Sequence, residues 1–212
     1  MRAILKGLGR ALVLSAATAS VIGLAAAPAL AATTWTVKPG GAVTATAGAT
    51  TVNDTTSNVS VTCTSSVAKG TLKKGSGLAG AGLGTVTSLA FKGCTADGIT
   101  VSVTITGKMP LNGVKYNSSK KTASMTLTKI HGTLSVSSIG CKATVDGTGA
   151  TKHNGTVDGT YSNSKDTLTV LTTGSNLHLY NVSGCDGVIN SNDAVNFTGA
   201  YKFAPKTTIT SP

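Results

Sequence analysis

The segment Thr100-Val101-Ser102-Val103-Thr104-Ile105-Thr106 alternates without a break between apolar and hydroxyl side chains. Because successive residues of a β-strand point to opposite faces, a period of two puts Val101, Val103 and Ile105 on one face. One buried face and one wetted face are typical of an antiparallel sheet. The segment therefore predicts a strand whose valine and isoleucine side chains pack against a core.

The same alternation recurs along the chain and indicates an all-β fold. Further stripes are Met125 and Leu127, Leu134 and Val136, Leu168 and Val170, and the longer Val195, Phe197, Gly199, Tyr201 and Phe203. The pairs Asn112-Gly113, Asn154-Gly155 and Asp158-Gly159 are typical of tight turns. About ten to twelve candidate strands are more than one flat sheet holds comfortably. We therefore predict an antiparallel barrel or a barrel-like sandwich, and the short sequential hairpins favour an up-and-down barrel.

The first 31 residues have the features of a secretory signal peptide. Arg2, Lys6 and Arg10 precede an uncharged stretch rich in Ala, Leu and Val, and Ala29 and Ala31 form the small-residue pattern of a cleavage site. A permanent membrane anchor is the alternative, but the stretch is Ala-rich and only weakly apolar. We expect cleavage after Ala31 or Ala32, which leaves residues 32–212 as one secreted β domain.

The charge of that domain argues against nucleic-acid recognition. Residues 32–212 contain 15 lysines and seven aspartates, a net charge of +8, with no glutamate and no arginine. Arginine is the usual residue for bidentate contacts with phosphates and base edges. The dispersed lysines predict a soluble surface, with weak attraction to anionic envelope polymers or lipid headgroups as the alternative.

The four cysteines, Cys63, Cys94, Cys141 and Cys185, predict two disulfides in an exported chain. Their spacing is too wide for a redox or zinc motif, so we expect no metal site. Three pairings are open. Each half of the chain has a cysteine in a strand and, further on, an apolar strand that ends in Gly-Cys. If this echo is a true repeat, it favours the pairs Cys63–Cys94 and Cys141–Cys185.

Neither a cofactor site nor a catalytic centre is indicated by the sequence. The glycine-rich segment Gly75–Gly84 lacks the strand-then-helix context of a phosphate-binding loop, so we interpret it as a flexible loop. His131, His153 and His178 are the available bases, and none follows a nucleophile motif. His178 and Asp186 are the pair to test if the domain is a hydrolase, because they are close in sequence.

Several segments resemble a family of small secreted actinobacterial proteins to which no function is assigned. They are Trp35-Thr36-Val37, Val61 to Ser66, Gly75 to Leu78, Phe91 to Thr95, Val182 to Cys185 and Phe197 to Tyr201. The resemblance implies a secreted β domain and implies no activity. We expect a non-enzymatic exported domain that binds a small apolar or lipid ligand, or another component of the cell envelope. A structural or protein-interaction module of the cell surface is the first alternative, and an extracellular hydrolase is the second.

Overall fold

A computed structural model describes residues 33–212, and the predicted signal peptide lies outside this range. The described residues form β-strands and no helix, so they contain no helix able to cross a membrane. The strands are β1 (Thr34–Lys38), β2 (Gly41–Ala47), β3 (Thr50–Asp54), β4 (Ser60–Leu72), β5 (Gly75–Ala79), β6 (Gly84–Ala96), β7 (Ile99–Thr100), β8 (Ser102–Ile105), β9 (Met109–Asn117), β10 (Thr122–Ile130), β11 (Gly132–Val136), β12 (Cys141–Asp146), β13 (Gly155–Ser162), β14 (Thr167–Val170), β15 (His178–Ser183), β16 (Val195–Ala204) and β17 (Thr208–Thr210).

Most of these segments are parts of eight long strands, which we name A to H in chain order. Strand A joins β2 and β3, B is β4, C is β6, D joins β7 to β9, E joins β10 and β11, F joins β12 and β13, G joins β14 and β15, and H is β16. The parts of one long strand face the same neighbours. For example, β10 pairs with β9 and β13, and β11 pairs with β8 and β12.

The eight strands close into an up-and-down antiparallel barrel. Each strand pairs with the next in the chain, and strand H returns to strand A through β2 and β3. Closure gives each of the eight long strands a partner on both sides, although β15 itself pairs in register only with β12 and reaches strand H through one bridge, His178 to Ala194. The barrel prediction is therefore confirmed, and the sandwich alternative is excluded. The predicted stripe on strand H is also confirmed, because Val195, Phe197, Tyr201 and Phe203 are buried.

The two ends of the barrel differ. At one end, which we call the mouth, strands are joined by residues 55–59, 97–98, 137–140 and 184–194. At the other end, the base, a separate sheet in the order β17–β1–β5 is built from the start and end of the described chain. Its residues Trp35, Val37 and Ile209 are fully buried. Tyr161 of strand F donates a hydrogen bond to the Thr207 carbonyl at 2.6 Å, which holds this sheet to the base.

The sheet β17–β1–β5 at the base explains two errors in the prediction from sequence. Gly75–Gly84 was predicted as a flexible loop, but its first half is β5, which pairs with β1. Asn112-Gly113 was predicted as a turn, but it lies inside β9. A Cβ atom at Gly113 would lie 2.7 Å from Trp35 Cε2, so glycine is required there by the close approach of the indole. Asp158-Gly159 likewise lies inside β13.

Strands D to G are interrupted at one level of the wall, which we call the seam. It comprises residues 106–108, His131, 147–154 and 171–177. The registers place these breaks side by side, since Ile105 is opposite Gly132, and Ile130 is opposite Gly155. Below the seam lie β9, β10, β13 and β14; above it, toward the mouth, lie β7, β8, β11, β12 and β15.

Candidate ligand-binding cavity

The mouth opens into a cavity of about 270 Å³ inside the barrel. Aliphatic side chains form most of its wall, among them Val61, Val101, Val136, Leu179, Ile189 and Val195. They come from seven of the eight long strands or their connections, so the cavity is a product of barrel closure. With roughly 30 Å³ for each small group, the space suits a ligand of about nine non-hydrogen atoms.

A second, narrower cavity of about 100 Å³ lies toward the base. It is lined by larger side chains, including Met109, Met125, Phe197 and Phe203, and it shares Val52 and Leu134 with the mouth cavity. Tyr201, which also lines it, is hydrogen-bonded to the buried Ser66 at 2.7 Å. Burial raises the pKa of the Tyr201 hydroxyl to about 12 although the Ser66 bond lowers it. The phenol therefore stays neutral in the folded barrel at physiological pH.

The rim of the mouth is apolar as well. Ile99, Ile139 and Val188 line the cavity, and each is roughly half exposed to solvent. Ile99 begins strand D, whereas Ile139 and Val188 lie in two different connections between strands. Clustered exposed aliphatic side chains mark interaction sites more often than isolated ones do.

Two disulfides clamp the mouth on opposite sides. Cys63–Cys94 joins strands B and C, and Cys141–Cys185 joins strand F to the residues after strand G. The turns of both hairpins lie at the base, so each bridge ties the free ends of a hairpin together at the mouth. The second cross-linked pair of strands, F and G, comes four strands after the first pair, B and C. This spacing is expected if the two halves of the barrel are repeats. The predicted pairing is therefore confirmed, and disulfides of this kind are typical of an oxidising compartment.

One buried carboxylate lies within the apolar wall of the mouth cavity. Asp54 ends strand A and is only 3% exposed. Its Oδ1 accepts hydrogen bonds from the amides of Thr56 and Ser57, both at 2.9 Å. Its Oδ2 is buried and has no hydrogen-bond partner among the described residues. The first oxygen therefore organises the turn, and the second has no donor from the described residues.

A second polar cluster lies outside the barrel, on the seam. Asp146 is fully buried under residues 147–154, and its Oδ2 lies 3.0 Å from Nδ1 of His131. It also accepts hydrogen bonds from the amides of Gly147, His153 and Asn154. Burial raises the pKa of the Asp146 carboxyl, but these hydrogen bonds outweigh burial and hold its pKa below the ordinary value of 3.8.

The seam cluster has the residue types of a metal site but not the geometry. The rings of His131 and His153 are stacked, with centroids 3.8 Å apart and planes within 6°. Ring-nitrogen lone pairs of parallel imidazoles do not converge on one ion, as tetrahedral coordination requires. The Asp146 oxygens already accept four hydrogen bonds. The arrangement is therefore a brace that holds residues 147–154 against the wall.

The remaining candidate residues are dispersed. His178 lies in β15, where its Nδ1 is 2.9 Å from the carbonyl oxygen of Asn176. Asp186 is exposed in the connection after Cys185, and no hydrogen bond joins it to His178 in the described chain. The brace was not predicted from the sequence, because Asp146 precedes a glycine, and an aspartate before a glycine is typical of a turn. It also gave no reason to choose Asp54 among seven aspartates.

Comparison with known proteins identifies no relative: no protein family, curated protein or solved structure matches the chain.

Proposed function

We propose that this domain binds a small apolar ligand inside the barrel, through the mouth, outside the cytosol. The observation that carries the proposal is the cavity of about 270 Å³ with its aliphatic wall. Small-molecule sites are typically concave and mostly apolar, with few polar groups. Eight-stranded barrels have an interior wide enough for side chains or one small ligand.

The contrast between the two ends supports access from the mouth. At the base, Trp35 and its sheet close the barrel. At the mouth, the half-exposed Ile99, Ile139 and Val188 offer an apolar path from the surface to the interior. The disulfides hold the mouth ends of two hairpins at fixed separation, so the cavity is preformed. A preformed site binds without the entropic cost of ordering the wall.

The experiment is a calorimetric titration of the secreted domain with 1-octanol, which has nine non-hydrogen atoms. Val136→Phe adds a ring where the side chain lines the cavity, and we expect it to abolish binding. Val114→Phe is the matched control, because Val114 is exposed on the wall and does not line the mouth cavity. Native mass spectrometry of the purified domain would identify a ligand retained from the producing cell.

The proposal is wrong if 1-octanol does not bind, or if it binds wild type and Val136→Phe equally well. The thermal transition of both variants must be recorded to show that each is folded. Binding that survives in Val114→Phe and disappears in Val136→Phe places the ligand in the mouth cavity.

The apolar rim also favours a second candidate, a protein-interaction module of the cell surface. In that case Ile139→Asp should abolish capture of an envelope partner, because Ile139 is half exposed at the mouth. Val136→Phe should leave capture of the partner intact, since the Val136 side chain lines the cavity. The two substitutions therefore distinguish a surface that docks a partner from a cavity that holds a ligand.

A further inference from the structure

We infer that the ligand of the mouth cavity carries a protonated amine, and that Asp54 Oδ2 receives it. This inference rests on the proposed function and specifies the chemical class of the ligand: a small amphiphile with an aliphatic body and a cationic head. Three observations carry it, namely an oxygen without a partner, the signs of the charges around the cavity, and the rigidity of the turn that holds Asp54.

The first observation is the buried Oδ2 atom of Asp54. A buried polar atom without a hydrogen bond costs free energy, so nearly all such atoms in proteins have a partner. Here the partner must be a donor, because a carboxylate only accepts hydrogen bonds. An ammonium group is a donor that also compensates the charge. A ligand carboxylate or phosphate would instead place like charges in contact.

The second observation is the sign of the charge around the cavity. Residues 32–212 contain about twice as many lysines as aspartates, yet none of the described residues that line the mouth cavity is a lysine. Asp54 and Asp97 both line it, and the remaining polar side chain is Ser135. A fatty acid or a lipid phosphate would therefore meet two carboxylates and no cation. The potential at the mouth favours a positively charged head.

The third observation is that the turn around Asp54 is fixed on several sides. The Asp54 amide donates to the Val59 carbonyl at 2.8 Å, and the Thr55 amide donates to the Ala194 carbonyl at 2.8 Å. The Thr56 hydroxyl accepts from the amide of Ala194 at 3.2 Å. With Oδ1 engaged by Thr56 and Ser57, the carboxylate has one orientation. Oδ2 is therefore held in place before a ligand arrives, as an efficient binding group requires.

The test compares three ligands of nearly equal size in calorimetric titrations at pH 7: 1-octylamine, 1-octanol and octanoic acid. We expect 1-octylamine to bind roughly tenfold to a hundredfold more tightly than 1-octanol, because hydrogen bonds between charged groups are the stronger ones. Octanoic acid should bind more weakly than 1-octanol. Equal or tighter binding of 1-octanol relative to 1-octylamine overturns the inference.

The decisive variant is Asp54→Asn. Asparagine keeps an oxygen at the position of Oδ1 for the amides of Thr56 and Ser57, but it replaces Oδ2 with a donor. We expect 1-octylamine to lose at least tenfold in affinity, whereas 1-octanol changes by less than threefold. Asp186→Asn is the matched control, because it removes the same charge from an exposed position at the mouth outside the cavity. It should leave both affinities within twofold of wild type.

The outcomes separate the two proposals. If no ligand binds, the proposed cavity function fails. If 1-octanol binds but Asp54→Asn and wild type have the same affinity for 1-octylamine, the cavity binds apolar ligands and the amine inference alone fails. Should Asp54→Asn not fold, Asp54→Glu keeps the charge and moves it by one methylene. In a folded Asp54→Glu domain, we expect a smaller preference for 1-octylamine than in wild type. An equal preference would show that the position of the carboxylate does not matter, which contradicts a fixed Oδ2 contact.

Discussion

Replacing Asp146 with asparagine tests whether the seam is held together by one carboxylate. The side chain is fully buried, and its four accepted hydrogen bonds span the break between β12 and β13. Asparagine fills nearly the same volume, so packing is preserved. Its oxygen can replace Oδ1 toward Gly147 and Asn154, but its amide nitrogen then faces the His153 amide, which is also a donor.

The magnitude follows from these contacts. Hydrogen bonds to a charged acceptor contribute about 1.5 to 3 kcal/mol each. The His131 ring can change tautomer and accept from the new amide, which recovers one contact at the strength of a neutral hydrogen bond. The donor at His153 remains unpaired. We therefore expect Asp146→Asn to lower the free energy of unfolding by about 3 kcal/mol, and the thermal midpoint by roughly 6 to 12 °C.

Urea denaturation at pH 7 measures the loss, with Asp186→Asn as the control for removal of an exposed charge. Limited trypsin digestion gives an independent local measurement, because the exposed Lys152 lies within residues 147–154. We expect faster cleavage after Lys152 in Asp146→Asn and not in the control. If Asp146→Asn changes neither the urea midpoint nor the rate of cleavage after Lys152, the stabilising role of the brace is refuted.

The pH dependence of the Asp146 effect has a defined sign. Its pKa is depressed in the folded state, so its contribution is present above the ordinary carboxyl pKa of 3.8 and is lost as pH falls through the lower folded value. The stability difference between wild type and Asp146→Asn should therefore be full at pH 6 and should shrink below pH 3.8. A difference that stays constant across this range would contradict the assigned ionisation.

Three further predictions concern the barrel itself. Gly113→Ala should destabilise by about 1 to 3 kcal/mol in urea titrations, because the new methyl group meets Trp35 Cε2 at 2.7 Å, whereas Gly48→Ala, with no atom within 4 Å, should change stability by less than 1 kcal/mol. The Tyr201 pKa is raised to about 12 in the folded state, so its contribution to the free energy of unfolding should be complete below pH 10. Between pH 10 and 12 this free energy should fall by up to about 3 kcal/mol, because the phenol ionises only in the unfolded chain. The free energy of unfolding of Tyr201→Phe should lack this component of the pH dependence. Replacing Cys141 and Cys185 together by serine should cost about 4 kcal/mol, since the bridge closes a span of 44 residues; an unchanged melting transition would contradict this.

The fold was predictable from sequence because barrel strands carry a simple signal. Alternation at 100–106 and 195–203 identified which side chains face inward. The valine, isoleucine and aromatic side chains identified in this way line the interior of the barrel. The disulfide pairing followed from the echo between the two halves. The local turn signals failed where tertiary contacts decide the backbone. Asn112-Gly113 has the composition of a hairpin turn, but its glycine is present because Trp35 packs against it.

The candidate site was not predictable, for a physical reason. A cavity is defined by space that side chains leave empty, and single-strand periodicity says which residues face inward but not whether they meet. Asp54 is one of seven aspartates and ends a strand, so nothing local indicates that its Oδ2 is buried without a hydrogen-bond partner. The seam cluster depends on the register that places His131 beside Asp146, and register is a property of the closed sheet.

The position of the disulfides explains how the barrel keeps an apolar cavity at its mouth. An unfilled apolar space forfeits packing contacts, and large-to-small core substitutions show that this loss is costly. At the base, Trp35 and Ile209 are fully buried and the cavity is smaller, so packing stabilises that end. At the mouth, the larger cavity weakens packing, and both cross-links lie there. A barrel stabilised by packing at one end and by covalent bonds at the other can leave the second end hollow, and that hollow is the space a ligand needs.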